Sequence, residues 1–262
     1  MKNLRKYGLE PFNVAVIHGG PGAPGEMAPV ARELSSVTGI LEPLQTETTI
    51  EGQVEELKIV LSHNGTLPVV LIGFSWGAIL GFVFTARNPS FVKKLILISS
   101  GVYEEKHAAN IMRTRLLRLG AQEREKALLL METLNDSVKG NKNIHFAHLG
   151  KLIYKADSYN PLPYGSEILD YAYDVYQNIW EQARELRSSG KLLKLGEKIN
   201  CPVLAIHGDY DPHPFQGIRD PLFRILKDFK FILLEKCGHY PWTERHAKDR
   251  FYRILKNEIK VS

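Results

Sequence analysis

Three residues of this chain have the types needed for nucleophilic catalysis: Ser75, Asp211 and His239. A serine hydroxyl is a poor nucleophile until a neighbouring base accepts its proton, and histidine suits this role because its pKa lies near neutrality. A carboxylate can then hold the imidazole in one tautomer and stabilise the imidazolium that forms. Such a set would attack a carbonyl carbon and form an acyl intermediate.

The strongest local signal surrounds Ser75, which lies in Gly-Phe-Ser-Trp-Gly directly after the apolar run 69–72. Glycines two positions before and after a serine, between a buried strand and a helix, are typical of a nucleophile elbow. The turn is so sharp that these neighbours must lack side chains. It lifts the hydroxyl clear of the sheet, at a helix N-terminus where backbone N–H groups point outward.

A second glycine-rich loop could stabilise negative charge on the reacting oxygen. His-Gly-Gly-Pro-Gly at 18–22 follows the short apolar run 13–17, so a strand leads into a tight loop there. The loop can offer an exposed N–H from Gly20, or alternatively from Gly19, and the N–H of Trp76 can supply a second donor. Two such donors aimed at a developing oxyanion are often the largest electrostatic contribution to catalysis.

The residues alone leave other assignments open. Asp209 competes with Asp211 for the role of the acid, although it could instead accept hydrogen bonds from turn backbone. Cys237, two residues before His239, could be a thiol nucleophile or a small packing residue. A metallohydrolase cluster is a further alternative, formed by His207, Asp209, Asp211 and His213. Because no second His/Cys cluster has matching spacing, we expect neither a metal nor another cofactor.

Each candidate residue follows a predicted strand, and carboxyl ends of parallel strands collect such groups at one edge of a sheet. The apolar runs predict strands at 13–17, 39–44, 69–72, 95–98, 201–206 and 229–234. Helical periodicity predicts helices at 50–61, 76–87 and 217–226, and a last helix with Ala247, Phe251, Ile254 and Leu255 on one face. A capping-box pair, Thr48 and Glu51, would start the first of these helices.

The sequence between the fourth and fifth of these strands has a different residue pattern. No β-branched run appears there, and helical patterns dominate, most clearly at 166–187. We therefore expect a core domain formed by residues 1–101 and 197–262 and a helical domain inserted at 102–196. Its aromatic residues could line a pocket or pack the insertion onto the sheet; they are Tyr154, Tyr159, Tyr164, Tyr171, Tyr173, Tyr176 and Trp180.

The bulk composition limits the function classes. The 262 residues are 44% hydrophobic and 24% charged, which is ordinary for a globular protein. The net charge is +5, but its charges are mixed and form no basic block interleaved with aromatics, so we expect no nucleic-acid partner. The uncharged stretch 67–86 is interrupted by Pro68 and three glycines, so we expect no membrane span. Two cysteines and no secretory signal favour a reducing cytoplasm.

The two glycine-rich motifs are similar to motifs of a known protein family. The chain resembles the α/β-hydrolase superfamily over most of its length, and the two glycine-rich motifs most resemble its proline iminopeptidase branch. This resemblance implies an α/β fold with a mostly parallel sheet, flanking helices and a helical cap inserted after the family's sixth strand. Because few residues precede the first predicted strand, we expect the family's N-terminal antiparallel strands to be shortened or missing. It also implies site roles: nucleophile Ser75, acid Asp211 rather than Asp209, base His239, and oxyanion donors Gly20 and Trp76.

Residues and resemblance together predict a serine hydrolase that cleaves an ester or amide bond of a small, largely apolar substrate through an acyl-enzyme. An aminopeptidase resembling proline iminopeptidase is one alternative, although no glutamate of the insertion matches the residue that would hold a free amine. A hydrolase-like ligand-binding protein with slow turnover is the other. The small-molecule substrate itself and the oligomeric state stay open.

Overall fold

A computed structural model describes residues 3–136, 141–163, 165, 168 and 170–260. Its centre is a seven-stranded sheet in the order β1-β3-β2-β4-β5-β6-β7, and only β1 runs antiparallel to its neighbour. The strands are β1 (Leu4–Tyr7), β2 (Phe12–Ile17), β3 (Gly39–Pro43), β4 (Val69–Phe74), β5 (Val92–Ile98), β6 (Val203–Gly208) and β7 (Phe229–Leu234). A single four-residue antiparallel strand therefore precedes the parallel ones, so the N-terminal part of the sheet is shortened, as expected.

The register brings the carboxyl ends of the parallel strands together. Gly73 of β4 pairs with Ile17 of β2, and Phe74 pairs with Ile98 at the end of β5. Ile98 pairs with Ile206 of β6, and the last residue of β6 pairs with Leu234 of β7. The segments that follow β2, β4, β6 and β7 consequently emerge at one edge of the sheet.

Helices cover both faces of the sheet and form two apolar cores. On one face lie α2 (Ile50–Asn64), α3 (Trp76–Arg87) and α9 (Gln216–Ile225). On the other lie α1 (Ala28–Leu34) and α10 (Lys248–Lys260). The helix predicted at 50–61 is confirmed as part of α2, but its N-cap is Thr49, whose hydroxyl accepts the N–H of Gly52. The expected capping residue, Thr48, is wrong by one position because Thr49 has the extended backbone that an N-cap requires.

The uncharged stretch around α3 is an interior element. Every residue from Trp76 to Ala86 is buried, since α3 packs between the sheet and its neighbouring helices. Among the described residues, no helix combines the length and the apolar character needed to cross a lipid bilayer.

The regular elements between β5 and β6 are helical: α4 (Ile111–Arg118), α5 (Ala121–Asn135), α6 (Lys142–Asp157), α7 (Tyr173–Ser188) and α8 (Lys191–Lys194), together with short 3-10 turns. The predicted helix at 166–187 begins later, at Tyr173; Ser166 and Glu167 lie outside the described residues. Ala172 has an extended backbone and donates its N–H to the carbonyl of Gly22, and the side chain of Asn143 accepts the N–H of Tyr173. These contacts with other parts of the chain place the start of the helix.

The crossing of β4 and α3 leaves no room for side chains at the two glycines beside Ser75. A Cβ at Gly77 would overlap the backbone oxygens of Ile17 and His18, and one at Gly73 would overlap the carbonyl of Gly77. We expect Gly77→Ala to lower the free energy of unfolding by more than about 2 kcal/mol, because backbone must shift to accept it. Thermal denaturation measures this.

Gly81→Ala in the same helix is the matched control. Its Cβ would lie 3.3 Å from the terminal methyl of the Leu95 side chain, which can adjust, and alanine favours a helix over glycine. Equal melting temperatures for the two variants would show that the crossing is not sterically limited.

Candidate active site

Ser75 occupies the strained turn that the sequence motif predicts. Its φ of 51° and ψ of −112° lie in a region that non-glycine residues rarely adopt, directly between β4 and α3. Its N–H donates to the carbonyl of Ile98 at 2.9 Å, and its own carbonyl accepts the N–H groups of Ala78 and Ile79. Between Val69 and Ala86, all of which the structure describes, Ser75 is the one residue that is not buried. The turn therefore presents the serine from an otherwise closed interior.

The loop 18–22 is held in place by the buried imidazole of His18. Nδ1 lies 2.8 Å from the carbonyl of Gly19, and Nε2 accepts the N–H of Gln45 at 3.2 Å. Nδ1 therefore carries the proton. Burial lowers the pKa of His18 to about 4, so the ring is neutral at pH 7. Because the carbonyl and the following N–H of one peptide point in opposite directions, this bond also orients the N–H of Gly20.

Trp76 begins α3, so its backbone N–H belongs to the first turn and has no acceptor within its own helix. Its ring is buried: the indole N–H donates to Gln53 at 2.9 Å, and the ring meets Trp180 of α7 edge-on at 6.5 Å. Trp76 can thus offer a backbone donor beside Ser75 while its side chain forms part of the wall.

Asp211 and His239 meet through a short, buried hydrogen bond. Nδ1 of His239 lies 2.6 Å from Oδ2 of Asp211, whose side chain is fully buried. The ring of His239 also packs on the ring of Phe74, the residue before Ser75, with centroids 4.9 Å apart. The structure therefore brings the loops after β6 and β7 together beside the turn after β4.

The same carboxylate binds a second imidazole. Oδ1 of Asp211 accepts the backbone N–H of His213 at 2.9 Å and lies 2.8 Å from Nδ1 of that residue. The rings of His213 and His239 stack with centroids 4.9 Å apart. His207 donates to the carbonyl of His213 at 2.9 Å and lies 3.5 Å from Oδ2 of Asp211. Three imidazoles thus surround one carboxylate.

These contacts move the pKa values in opposite directions. Burial by itself would raise the pKa of Asp211, but the neighbouring imidazoles His239, His207 and His213 hold it well below its usual value. Burial would lower the pKa of His239, yet the charge and the hydrogen bond of Asp211 outweigh burial and raise it. The pair is therefore arranged to carry a proton on His239 opposite an ionised Asp211.

The alternative residues occupy other positions. Asp209 is exposed and accepts the N–H of Cys237 at 3.1 Å, which joins the loops after β6 and β7. Burial raises the pKa of the Cys237 thiol far above neutrality, so it stays protonated. Within the described chain, the group able to ligate a metal comprises Asp211, His213 and His239, without Asp209. Hydrogen bonds within this group account for the close approach of its carboxylate and its two Nδ1 atoms.

Sequence reasoning missed a buried carboxylate four residues after the loop 18–22. Glu26 interacts electrostatically with His239 and Tyr240, and burial raises its pKa to about 7, although the charge of His239 and the N–H of Gly19 oppose this. Within the described residues, its Oε2 has no hydrogen-bond partner. Glu26 is thus a second titratable group next to His239, and no spacing in the sequence marks it.

A buried ion pair in the helical segment was also missed. Arg115 of α4 donates to both carboxylate oxygens of Asp157 of α6 at 2.7–3.1 Å, and the Asp157 side chain is fully buried. The carbonyl of Asp157 accepts the N–H of His239 at 2.8 Å. Arg115 and Asp157 are 42 positions apart, so only the folded chain relates them to His239.

A cavity of about 640 Å³ adjoins this group of residues. It reaches the site through His213, which stacks on His239, and through Ile79, which donates to the Ser75 carbonyl. Of the predicted aromatic lining, Tyr176 and Trp180 face the cavity. Tyr154 packs on Tyr240 instead, and Tyr164 lies outside the described residues.

The buried carboxylate of Glu244 ties the helical segment to the loop that carries His239. Its Oε1 accepts the N–H groups of Tyr159 at 2.7 Å and Gly238 at 2.9 Å. Oε2 accepts the N–H of Asn160 at 2.8 Å. One side chain thereby fixes the residue before His239 against the segment that follows α6.

We expect Glu244→Gln to lower the free energy of unfolding by about 2–4 kcal/mol, because one acceptor oxygen becomes an NH₂ group that faces backbone N–H. The backbone at Gly238, which precedes His239, should also become less well ordered, because its N–H loses the acceptor. Thermal denaturation and amide hydrogen exchange at Gly238 and His239 check these effects. Glu235→Gln, in the same loop but exposed, should change stability by less than about 0.5 kcal/mol. Similar values for both variants would contradict the role assigned to Glu244.

Comparison with solved structures finds many similar folds. The chain is similar to the crystal structure of VinJ, with 19% identity, 98% of this chain and 94% of that chain covered, and a TM-score of 0.68. It is similar to proline iminopeptidase of Mycobacterium smegmatis, with 14% identity, coverage of 98% and 94%, and a TM-score of 0.62. It is also similar to a monoacylglycerol lipase of Paleococcus ferrophilus, with 15% identity, coverage of 98% and 97%, and a TM-score of 0.60.

At these identities the likeness shows the fold alone, and the three proteins differ in what they are named for. No curated protein matches the chain by sequence. A model of the α/β-hydrolase fold family matches residues 21–242, which is most of the chain. The chain belongs to the α/β-hydrolase fold family.

Proposed function

We propose that this hydrolase-family protein is a serine hydrolase that cleaves an ester or amide bond of a small substrate through an acyl-enzyme. Ser75 is the nucleophile, His239 the base and Asp211 the acid. The observation that carries the proposal is the 2.6 Å bond between buried Asp211 and His239, next to a serine held in a strained, accessible turn. Structural ion pairs do not require such a serine beside them.

The chemistry follows from the positions of the protons. Because Nδ1 of His239 bonds Asp211, its Nε2 accepts the proton of the Ser75 hydroxyl as the oxygen attacks the carbonyl carbon. The N–H groups of Gly20 and Trp76 hold the resulting oxyanion. Collapse of this intermediate breaks the bond to the leaving group, which takes the proton from His239. A water molecule then loses a proton to His239 and releases the acid from Ser75.

We propose further that residues 102–196 act as a cap domain over a core formed by 1–101 and 197–262. Support comes from the cavity, whose wall is contributed mostly by the helical segment. Its apolar side chains suit an apolar portion of the substrate; they are Ile79, Val102, Ala108, Ile111, Met112, Ala183 and Leu192. The cavity also contains charged groups, so the proposed substrate carries a polar group beside its apolar portion.

The charges in the cavity bear on the aminopeptidase alternative. Among the described lining residues, Glu181 is the one carboxylate, whereas Arg115, Arg184 and Arg187 contribute guanidinium groups. Asp157 pairs with Arg115 and Glu105 pairs with Arg187, so a protonated amine would meet Glu181 and Arg184 there without an excess of negative charge. We therefore rank an uncharged ester or amide above a peptide with a free N-terminus, and release of naphthylamine from proline-β-naphthylamide at high enzyme concentration would reverse that order.

Ser75→Ala should abolish turnover of p-nitrophenyl butanoate and covalent labelling by a fluorophosphonate, since no other nucleophile faces His239 in the proposal. Labelling followed by peptide mass spectrometry locates the modified residue. Cys237→Ser should still be labelled, because that thiol is buried and protonated. Retained turnover in Ser75→Ala would remove Ser75 as the nucleophile. Slow turnover together with ligand-dependent thermal shifts in the natural chain would favour the ligand-binding alternative.

The pH dependence of kcat/KM follows from the raised pKa of His239. The base must be neutral to accept a proton, so activity should rise with pH through a value above 6.5 and be lost below it. Glu26, with a pKa of about 7, titrates nearby, so Glu26→Gln is the control: the rise should persist in it. A flat profile between pH 5.5 and 8 would contradict His239 as the base.

Asp211→Asn should lower kcat about 1000-fold or more, because a neutral amide does not stabilise the imidazolium of His239.

A further inference from the structure

We propose that His213 is a substrate-binding residue whose Nε2 accepts a hydrogen bond from a hydroxyl or amide N–H of the substrate, beside the reacting carbonyl. The inference rests on the proposed serine hydrolase function and specifies its substrate class. It starts from the unusual sharing of Asp211 by two histidines, of which the proposed mechanism uses only His239.

The hydrogen bonds define the tautomer of His213. A carboxylate at neutral pH only accepts, so the 2.8 Å contact between Oδ1 of Asp211 and Nδ1 of His213 requires the proton on Nδ1. Burial lowers the pKa of His213 to about 4, and the nearby Asp211 does not compensate fully, so the ring is neutral at pH 7. Nε2 is consequently a lone-pair acceptor.

The position of the ring leaves this acceptor for a ligand. Only 7% of the His213 side chain is exposed, yet the residue lines the 640 Å³ cavity. Nδ1 is turned to Asp211, so the opposite edge of the ring, with Nε2, is turned away from it. Within the described residues Nε2 has no hydrogen-bond partner. Because Nε2 is not fully enclosed by protein atoms, a ligand in the cavity can reach it and donate a hydrogen bond to it.

Neighbouring charge selects the kind of donor. Arg115 lines the same cavity and is close enough to His213 to affect its pKa, and a protonated amine bound to Nε2 could not accept a hydrogen bond from this guanidinium group. Nε and Nη2 of Arg115 are used by Asp157, whereas Nη1 has no hydrogen-bond partner in the described part of the chain. A neutral group that donates to His213 and accepts from Arg115 fits both. Hydroxyl and carboxamide groups have this property, and an unsubstituted acyl chain does not.

The test compares matched p-nitrophenyl esters. The reference is butanoate, and the probes are its 2-hydroxy, 3-hydroxy and 3-carbamoyl derivatives. The natural chain should hydrolyse at least one probe with a kcat/KM about tenfold above that of butanoate, which is the range of one well-formed neutral hydrogen bond. His213→Leu should reduce this ratio to about one, mainly through KM, and His213→Gln, which keeps an acceptor, should retain part of it.

The ratio of kcat/KM for a probe to kcat/KM for butanoate distinguishes substrate binding by His213 from its hydrogen bond to Asp211. Loss of the Asp211 contact would slow all four esters alike and leave the ratio unchanged. His207→Gln is the matched control, since His207 also approaches Asp211 but is not among the residues that line the cavity. Its ratio should equal that of the natural chain.

Two results would overturn the proposal: no preference for any probe in the natural chain, or a preference that survives in His213→Leu. The first needs no variant, so a failure of His213→Leu to fold does not protect the proposal. Fluorophosphonate labelling of Ser75 in the same preparation distinguishes a failure of the His213 proposal from a failure of the proposed serine mechanism. Labelling and butanoate hydrolysis without a preference refute only the role of His213, whereas absence of both refutes the serine mechanism itself.

Discussion

The carboxylate of Asp211 has no exposure to solvent, and within the part of the chain that the structure describes its charge is compensated by imidazole and backbone N–H groups rather than by a lysine or arginine side chain. A buried charge is costly unless hydrogen bonds replace the lost water. The replacement here requires the loop after β6 to fold back on itself at His213 and the loop after β7 to deliver His239. The position of His239, and with it the chemistry proposed for Ser75, depends on this group.

The helical segment is connected to the site by backbone hydrogen bonds at several points. The carbonyl of Asp157 accepts the N–H of His239, and the carbonyl of Gly22 accepts the N–H of Ala172. Glu244 adds the contacts to Tyr159, Asn160 and Gly238. The loops that carry the proposed base and oxyanion donor are therefore ordered together with the helices above them. In this fold, a change in the helical segment can alter catalysis without touching a reacting atom.

The two glycine-rich motifs obey different physical constraints. At Ser75 the constraint is steric, because α3 crosses the backbone of the β2 end too closely for a Cβ at Gly77. At 18–22 it is a matter of hydrogen bonding, because a neutral His18 connects the loop to the segment after β3. A turn that stores strain and a loop whose polar groups are satisfied can both hold reactive groups without the mobility of ordinary surface loops.

The amino-acid sequence by itself determined the order of the parallel strands, the shortened N-terminal sheet and the candidates Ser75, Asp211 and His239, because these depend on local patterns and on the positions of residues just after strands. It did not predict β1 or α1. It misplaced the start of α7, which is set by contacts with Gly22 and Asn143. It also misplaced the N-cap of α2, which is set by the extended backbone of Thr49. Only the tertiary structure related Glu26, Arg115, Asp157 and Glu244 to the site. Burial and pairing between residues far apart in the chain leave no periodic signal, so the electrostatics of the site became visible only when the loops and helices had been brought together.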